Sequence, residues 1–157
     1  MKIATWNVNS LNVRLSHVID WVVKHQPDIL CLQETKQVND KFDHDAFSTI
    51  GYHSYHNGQK TYNGVAIISK NKLIDINFDL PDFDDPQKRI ISGLWISDSN
   101  DKIYIVSAYV PNGQTVGSDK FIYKMSWLNK FSKWVTELTN QYDEIILTGD
   151  FNIAPEN

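Results

Sequence analysis

The chain has 157 residues and a mass of 18.1 kDa, the length of one domain over residues 1–157 or of one large piece of a bigger domain, so we do not expect several domains within it. Apolar residues make up 41% and charged residues 22%, which excludes a disordered, collagen-like or coiled-coil chain. The net charge of −4 comes from an acidic stretch between residues 76 and 101, so the nearly neutral flanks are compatible with a polyanionic partner.

No apolar run approaches the ~20 residues of a membrane span, and the first residues lack the apolar core of a signal peptide. We therefore expect a cytoplasmic protein with no membrane partner. The single cysteine, Cys31, lies between Leu30 and Leu32, which predicts a buried, unreactive thiol in a strand.

The first 33 residues predict a strand, a helix and a second strand. The strands are expected at residues 2–8 and 29–33, and the helix begins after Asn9 or Ser10 and ends before Pro27. The apolar residues of this helix recur at helical spacing: Leu15, Val18, Ile19, Val22 and Val23. A crossover helix of this kind allows the two strands to pair in parallel.

Two hairpins, a long helix and a last strand are predicted next. After a short helical turn at 45–50, the hairpins consist of strands at 52–56 and 64–69 and strands at 90–97 and 102–109. The helix covers 119–138 and the last strand 144–148. The helix is expected to bury one stripe: Phe121, Met125, Leu128, Phe131, Val135 and Leu138.

Polar residues stand at the carboxyl ends of four predicted strands. They are Asn7, Glu34, Tyr109, and Asp150 with Asn152. Open α/β sheets bind ligands beyond these ends, and oxygen donors without thiolate or imidazole suit Mg²⁺ rather than zinc. Each residue alone is as well explained as a turn former, a helix cap or an amphipathic rim residue, so both interpretations stay open.

Five motifs occur in order along the chain: KIATWNVNS at 2–10, PDILCLQETK at 27–36, GQK and YNGVA within 58–66, YVPNG at 109–113 and GDFNIAP at 149–155. Together they resemble the exonuclease III branch of the endonuclease/exonuclease/phosphatase superfamily. The resemblance implies an α/β fold that corresponds to the first half of the superfamily's two-sheet sandwich, with helices on one face of a mixed sheet.

The resemblance also implies roles for the polar residues. Glu34 would be the principal Mg²⁺ ligand with Asn7 beside it, and Mn²⁺ would be a substitute metal. Asp150 would take the proton of the attacking water and Asn152 would hold that water or the developing charge, both at the metal site. Tyr109 would face the scissile phosphate. Phosphate hydrolysis needs these parts: charge neutralisation, an oriented water and help for the leaving oxygen.

Expected DNA contacts complete this set: Arg14, Lys36, Gln59, Lys60 and Asn112. For the first four, a solvated surface position is an equally good interpretation. The implied partner is double-stranded DNA with abasic sites or 3′ ends, and the full-length form is expected to be a monomer.

The implied function is a Mg²⁺-dependent DNA-repair phosphodiesterase, a 3′ to 5′ exonuclease on duplex DNA that also cuts 5′ to abasic sites. Two alternatives stay open: a superfamily phosphatase for a small phosphorylated substrate, and a catalytically silent piece that binds DNA or a partner.

Members of the superfamily continue well beyond the length of this chain, with a second sheet and a late Asp and His that complete the site. The chain therefore resembles a fragment that is truncated at Asn157, and the five histidines are not expected to fill the gap: His17, His25, His44, His53 and His56. We expect the isolated 157 residues to be inactive, and to leave one apolar sheet face bare because the strands at 29–32, 65–68 and 145–147 are apolar on both faces.

Overall fold

Eight strands form two four-stranded mixed sheets within residues 1–153, the part of the chain that the computed structural model describes. Sheet 1 has the order β1-β2-β4-β3 and consists of β1 (Ile3–Asn7), β2 (Ile29–Gln33), β3 (His53–Asn57) and β4 (Val65–Ser69). Sheet 2 has the order β5-β6-β7-β8 and consists of β5 (Leu73–Asn77), β6 (Ile90–Ile96), β7 (Lys102–Tyr109) and β8 (Ile145–Asp150). The helices are α1 (Leu11–His25), α2 (His44–Thr49) and α3 (Asp119–Thr139), with a 3₁₀ turn at Asn39–Lys41.

The strand pairing confirms the predicted crossover and both hairpins. Strands β1 and β2 pair in parallel through α1, and β3–β4 and β6–β7 are antiparallel hairpins. Helix α3 makes a second crossover, because β7 and β8 also pair in parallel. Ala154 and Pro155, the end of the last motif, and Asn157, the expected point of truncation, lie outside the described residues.

Strand β5 is absent from the sequence prediction. It lies at the edge of sheet 2, its pairing with β6 is irregular between Ile74 and Asn77, and Leu73 is its only buried residue. Its residues alternate between apolar and polar only briefly, and Asp75 adopts a left-handed φ of 51°. A short, kinked edge strand carries little periodic signal, so only its pairing partner defines it.

The two sheets pack face to face, which corrects one expectation. Helices α1 and α2 cover the outer face of sheet 1 and α3 covers that of sheet 2, while Cys31, Ile67, Ile91 and Ile105 meet between the sheets. The α/β fold is confirmed, and each mixed sheet carries its helices on one face as expected. The expectation that the second sheet lies beyond this chain is wrong, since β5–β8 already supply it. The inner faces of β2 and β4 are therefore covered, and the expectation of a bare face is wrong for these two strands. In β8, by contrast, Ile146 is half-buried and Leu147 is 36% exposed, so this strand is covered only in part.

The buried faces of the long helices differ from the predicted stripes in detail. In α1, Val23 is 54% exposed, and Ser10 occupies the N-cap without a side-chain capping bond. In α3, Met125 is 43% exposed, whereas Trp127 and Trp134 are buried. Two adjacent apolar stripes run along α3, and burying the tryptophans removes more apolar surface from water.

Cys31 is fully buried, which confirms the predicted buried thiol, and burial raises its pKa to about 11. Its lack of reactivity stays a prediction. Within residues 1–153, none of the helices combines the length and apolarity that crossing a membrane requires.

Candidate active site

The candidate site lies where strands from both sheets end. Asn7 is the last residue of β1 and Glu34 follows β2, while Tyr109 and Asp150 are the last residues of β7 and β8 and stand opposite each other in register. The structure therefore brings together residues that the sequence places at four separate strand ends. Packing of the sheets, rather than pairing within one sheet, makes this meeting possible.

Asn7 connects the two sheets through its side-chain amide. Its Nδ2 donates to Glu34 Oε1 at 2.8 Å and to Asp150 Oδ2 at 2.9 Å, and its Oδ1 accepts from the backbone N–H of Asn9 at 3.0 Å. A flipped amide would direct its nitrogen at that N–H, so the contacts define the orientation. In this arrangement the nitrogen faces the carboxylates, and direct metal ligation by Asn7 stays a prediction.

Glu34 is held as a carboxylate by its neighbours. Its Oε1 accepts from Asn7, Oε2 lies 3.1 Å from the ammonium of Lys36, and the phenol of Tyr109 also favours the charged form. Burial on its own would raise the pKa of Glu34, but these donors outweigh it and hold the pKa below the usual value. Glu34 is therefore an anion at neutral pH, with its charge partly offset by Lys36.

Tyr109 has the opposite protonation behaviour. Burial, followed by the hydrogen bond to Glu34, raises the pKa of the phenol to about 12. Tyr109 therefore stays a neutral hydrogen-bond donor across the physiological range, next to the two carboxylates.

Asp150 and Asn152 form a tight turn after β8. Asp150 Oδ1 accepts from the backbone N–H of Asn152 at 3.0 Å, and Asn152 adopts a left-handed φ of 46°. The Asn152 side chain donates to the backbone oxygen of Val110 at 2.9 Å, and Lys124 donates to its backbone oxygen at 2.7 Å. The side-chain nitrogen of Asn152 is therefore already used in a hydrogen bond that stabilises the turn.

The glycine before Asp150 has a steric role. Gly149 has a φ of 150°, and a Cβ there would collide with the backbone oxygen of Ala108 on the neighbouring strand. The absence of a side chain lets β8 approach β7 closely, which places Asp150 opposite Tyr109.

The donor set fits a magnesium ion. Within residues 1–153 no group of three or more His, Cys, Asp and Glu side chains is arranged to hold a metal, and the site offers two carboxylates, Glu34 and Asp150. Mg²⁺ commonly binds through one or two carboxylates and fills its other positions with water and phosphate oxygens. Zinc would need nitrogen or sulfur ligands that this site lacks.

Two of the expected DNA contacts, Arg14 and Lys36, both contact Asn9 in the turn after β1. Arg14 donates to the backbone oxygen of Asn9 at 2.7 Å, and the Lys36 ammonium also contacts the Asn9 side chain. Both cations therefore stabilise the turn after β1, and Lys36 places positive charge next to Glu34. Contact of either residue with DNA stays a prediction.

Gln59 and Asn112, two more of the expected DNA contacts, line a cleft of about 450 Å³ next to Tyr109. Gln59 Oε1 accepts from the Lys88 backbone N–H at 2.7 Å, which fixes the loop, while Asn112 is exposed. Lys60 follows Gln59 and is exposed as well.

Sequence reasoning missed Arg89, which lies in the same cleft. Arg89 is only 8% exposed, its guanidinium lies 4.8 Å from the centroid of the Tyr109 ring, and it donates to the Tyr109 backbone oxygen at 3.0 Å. Gln87 accepts two further bonds from it. A charged residue directly before the apolar strand β6 is a signal that could have marked it.

Residues 4–157 match the model of the Endonuclease/Exonuclease/phosphatase family. The chain belongs to this family. It is 30% identical to exodeoxyribonuclease III of Haemophilus influenzae over 159 residues, which cover 100% of the chain and 59% of that relative.

Solved structures of the family have the same fold. The 3′ phosphatase NExo from Neisseria, bound to a product DNA hairpin, is 42% identical with a TM-score of 0.93, covering 100% of this chain and 60% of that one. An AP endonuclease from Archaeoglobus fulgidus is 38% identical with a TM-score of 0.88, covering 99% and 59%. The chain therefore spans about 60% of the length of these relatives, and they confirm that it corresponds to part of the family's fold.

Proposed function

We propose that the protein carrying this chain is a Mg²⁺-dependent DNA-repair phosphodiesterase, a 3′ to 5′ exonuclease on duplex DNA that also cuts 5′ to abasic sites. The observation that carries the proposal is the Asn7 bridge, which gathers Glu34 and Asp150 from two sheets beside Tyr109. The relatives named as an exodeoxyribonuclease and an AP endonuclease support the choice of DNA as substrate.

The two carboxylates suit different tasks. Glu34 is ionised and lies against Lys36 and Tyr109, whereas Asp150 accepts from two neutral amides, those of Asn7 and Asn152. Glu34 would hold Mg²⁺, and Asp150 would accept the proton of the attacking water on a lone pair. The bound ion would supply neutralisation of the charge on the phosphate oxygens.

Tyr109 would donate a hydrogen bond to a phosphate oxygen, because its raised pKa keeps the proton on the phenol. Arg89 lies over the ring and on the backbone oxygen of Tyr109, so it would hold this donor in place. A donor aimed where charge develops lowers the barrier most when its position is set beforehand.

A second candidate function uses the same groups. The Neisseria relative is named a 3′ phosphatase, which favours removal of a phosphate from a DNA 3′ end as a further activity. In both reactions water attacks phosphorus and the 3′ oxygen of the sugar leaves. The phosphorus of a phosphodiester carries a further nucleotide, whereas that of a terminal phosphate does not. Two other functions compete with this proposal: a phosphatase for a small phosphorylated substrate, and a catalytically silent piece that binds DNA or a partner.

The test incubates the full-length protein with an abasic duplex, a blunt duplex and a duplex with a 3′ phosphate, each with Mg²⁺ or with EDTA. We expect incision and exonuclease products that require Mg²⁺ and are lost in Glu34→Gln and Asp150→Asn. Asp20→Asn, an exposed carboxylate on α1, is the matched control and should keep full activity. Cleavage in EDTA, or phosphate release from small esters alone, would refute the proposal.

A further inference from the structure

The backbone around Glu34 adopts an unusual conformation. Glu34 has a φ of 53° and Lys36 a φ of 54°, so two left-handed residues flank Thr35. Residues with side chains rarely adopt this region, and they persist there only where the surroundings hold them. The direction of the Glu34 carboxylate therefore depends on whatever holds this turn.

Thr35 is the residue that holds it. It is fully buried, its N–H donates to the Gly64 backbone oxygen at 3.1 Å, and its carbonyl accepts from the Leu11 N–H at 3.0 Å. Its hydroxyl is hydrogen-bonded to Nε2 of His56 at 2.8 Å. Thr35 thus joins the turn to the start of α1, to the residue before β4 and, through His56, to β3.

His56 serves this contact and makes no other side-chain hydrogen bond in the described part of the chain. The ring is 5% exposed, stacks on Phe42 at 4.4 Å between centroids, and its Nδ1 is buried without a partner among residues 1–153. A buried polar ring with one unsatisfied nitrogen carries a cost, which the bond to Thr35 offsets only in part.

Two glycines leave room for the pair. A Cβ on Gly64, whose φ is +90°, would collide with the Thr35 hydroxyl, and a Cβ on Gly58 would collide with the His56 ring. Both glycines lie in the motif at residues 58–66, to which the proposed function assigns no steric role. The space that Thr35 and His56 occupy is one reason for these glycines. The backbone oxygen of Gln37, which a Cβ on Gly58 would also meet, and the positive φ of Gly64 are further reasons.

We propose that Thr35 and His56 form a positioning pair, which sets the left-handed turn at Glu34 and thereby directs its carboxylate toward Asn7 and the metal. This inference rests on the metal-binding role of Glu34 under the proposed function. Neither residue touches the reacting atoms, so their effect passes through the backbone of Glu34.

The test measures Mn²⁺ binding to the full-length protein without DNA, by the electron paramagnetic resonance of free Mn²⁺. Thr35→Val keeps the shape and removes the hydroxyl, and we expect it to raise the Mn²⁺ dissociation constant about 10-fold, as loss of a ligand-orienting contact does. Thr35→Ser restores the hydroxyl and should return the constant to within about 2-fold of wild type.

Ser92→Ala is the matched control, because Ser92 is buried in β6 and its hydroxyl bonds to Tyr104 at 3.0 Å, away from Glu34. It should lower stability without changing Mn²⁺ affinity.

His56→Phe keeps the stack on Phe42 and removes the bond to Thr35, so it replaces Thr35→Val in the binding measurement if Thr35→Val does not fold. The effects of Thr35→Val and His56→Phe should not add in the double variant, because both remove one bond.

The outcomes separate the two proposals. If wild type binds Mn²⁺ and Glu34→Gln weakens binding, but Thr35→Val and His56→Phe do not, the positioning pair is overturned while the metal role of Glu34 stands. If Glu34→Gln leaves Mn²⁺ affinity unchanged, the metal role fails and the positioning inference fails with it.

Discussion

Acidification is expected to destabilise the fold through His56. Burial, with a smaller repulsion from His44, lowers the pKa of His56 from 6.5 to about 4. In the unfolded chain the ring is solvated and regains its ordinary pKa, so between these two values the unfolded state binds a proton that the folded state does not. Stability therefore falls as the pH falls.

The magnitude follows from the size of the shift. The contribution of His56 is present in full above pH 6.5 and is lost progressively as the pH approaches about 4. Each pH unit in this window corresponds to about 1.4 kcal/mol, so the whole loss is about 3 kcal/mol. A loss of this size is a large fraction of the ~5–15 kcal/mol that stabilises a typical domain.

Urea unfolding of the full-length protein between pH 7.5 and 5 measures the part of this loss that falls between pH 6.5 and 5, about 2 kcal/mol. The window stays above the range in which Asp28 and Glu34, whose pKa values are lowered, take up protons. His56→Phe should flatten the dependence of the unfolding free energy on pH, whereas His53→Gln, an exposed residue of the same strand, should not. If wild type and His56→Phe lose stability equally between pH 6.5 and 5, the argument from burial is wrong.

Four further variants test the site. Glu34→Gln should raise the Mg²⁺ concentration that gives half-maximal cleavage. Asp150→Asn should leave that concentration unchanged and abolish cleavage. If the two variants changed the Mg²⁺ requirement and the maximal rate equally, the separate roles would be contradicted. Tyr109→Phe should lower kcat by about 10²-fold, and an unchanged kcat would contradict its role as a donor to the phosphate. Gly149→Ala should lower the unfolding free energy by at least about 2 kcal/mol in urea titrations, because its Cβ meets the Ala108 backbone.

Local patterns in the sequence determined most of the elements. The apolar periodicity of residues 11–25 and the runs at 29–33 and 65–69 predicted α1, β2 and β4 to within a residue or two, because those segments bury a continuous face. Turn formers placed both hairpins. The motifs also placed Asn7, Glu34, Tyr109 and Asp150 at strand ends, where the structure has them.

Long-range packing decided the rest. Strand β5 exists because β6 offers it a partner, and α3 buries Trp127 and Trp134 rather than Met125 because the sheet below defines which stripe faces inward. The second sheet was unexpected because a strand that is apolar on both faces does not reveal what covers it.

The candidate site depends on the same packing. Asn7 bonds to Asp150 across 143 positions of the chain, and Arg89 and His56 act on neighbours far from them in sequence. Sequence alone determined which residue types were available at the strand ends. Only the sandwich decided which of them meet, because hydrogen bonds and ring contacts depend on distances that arise when two separately formed sheets pack together.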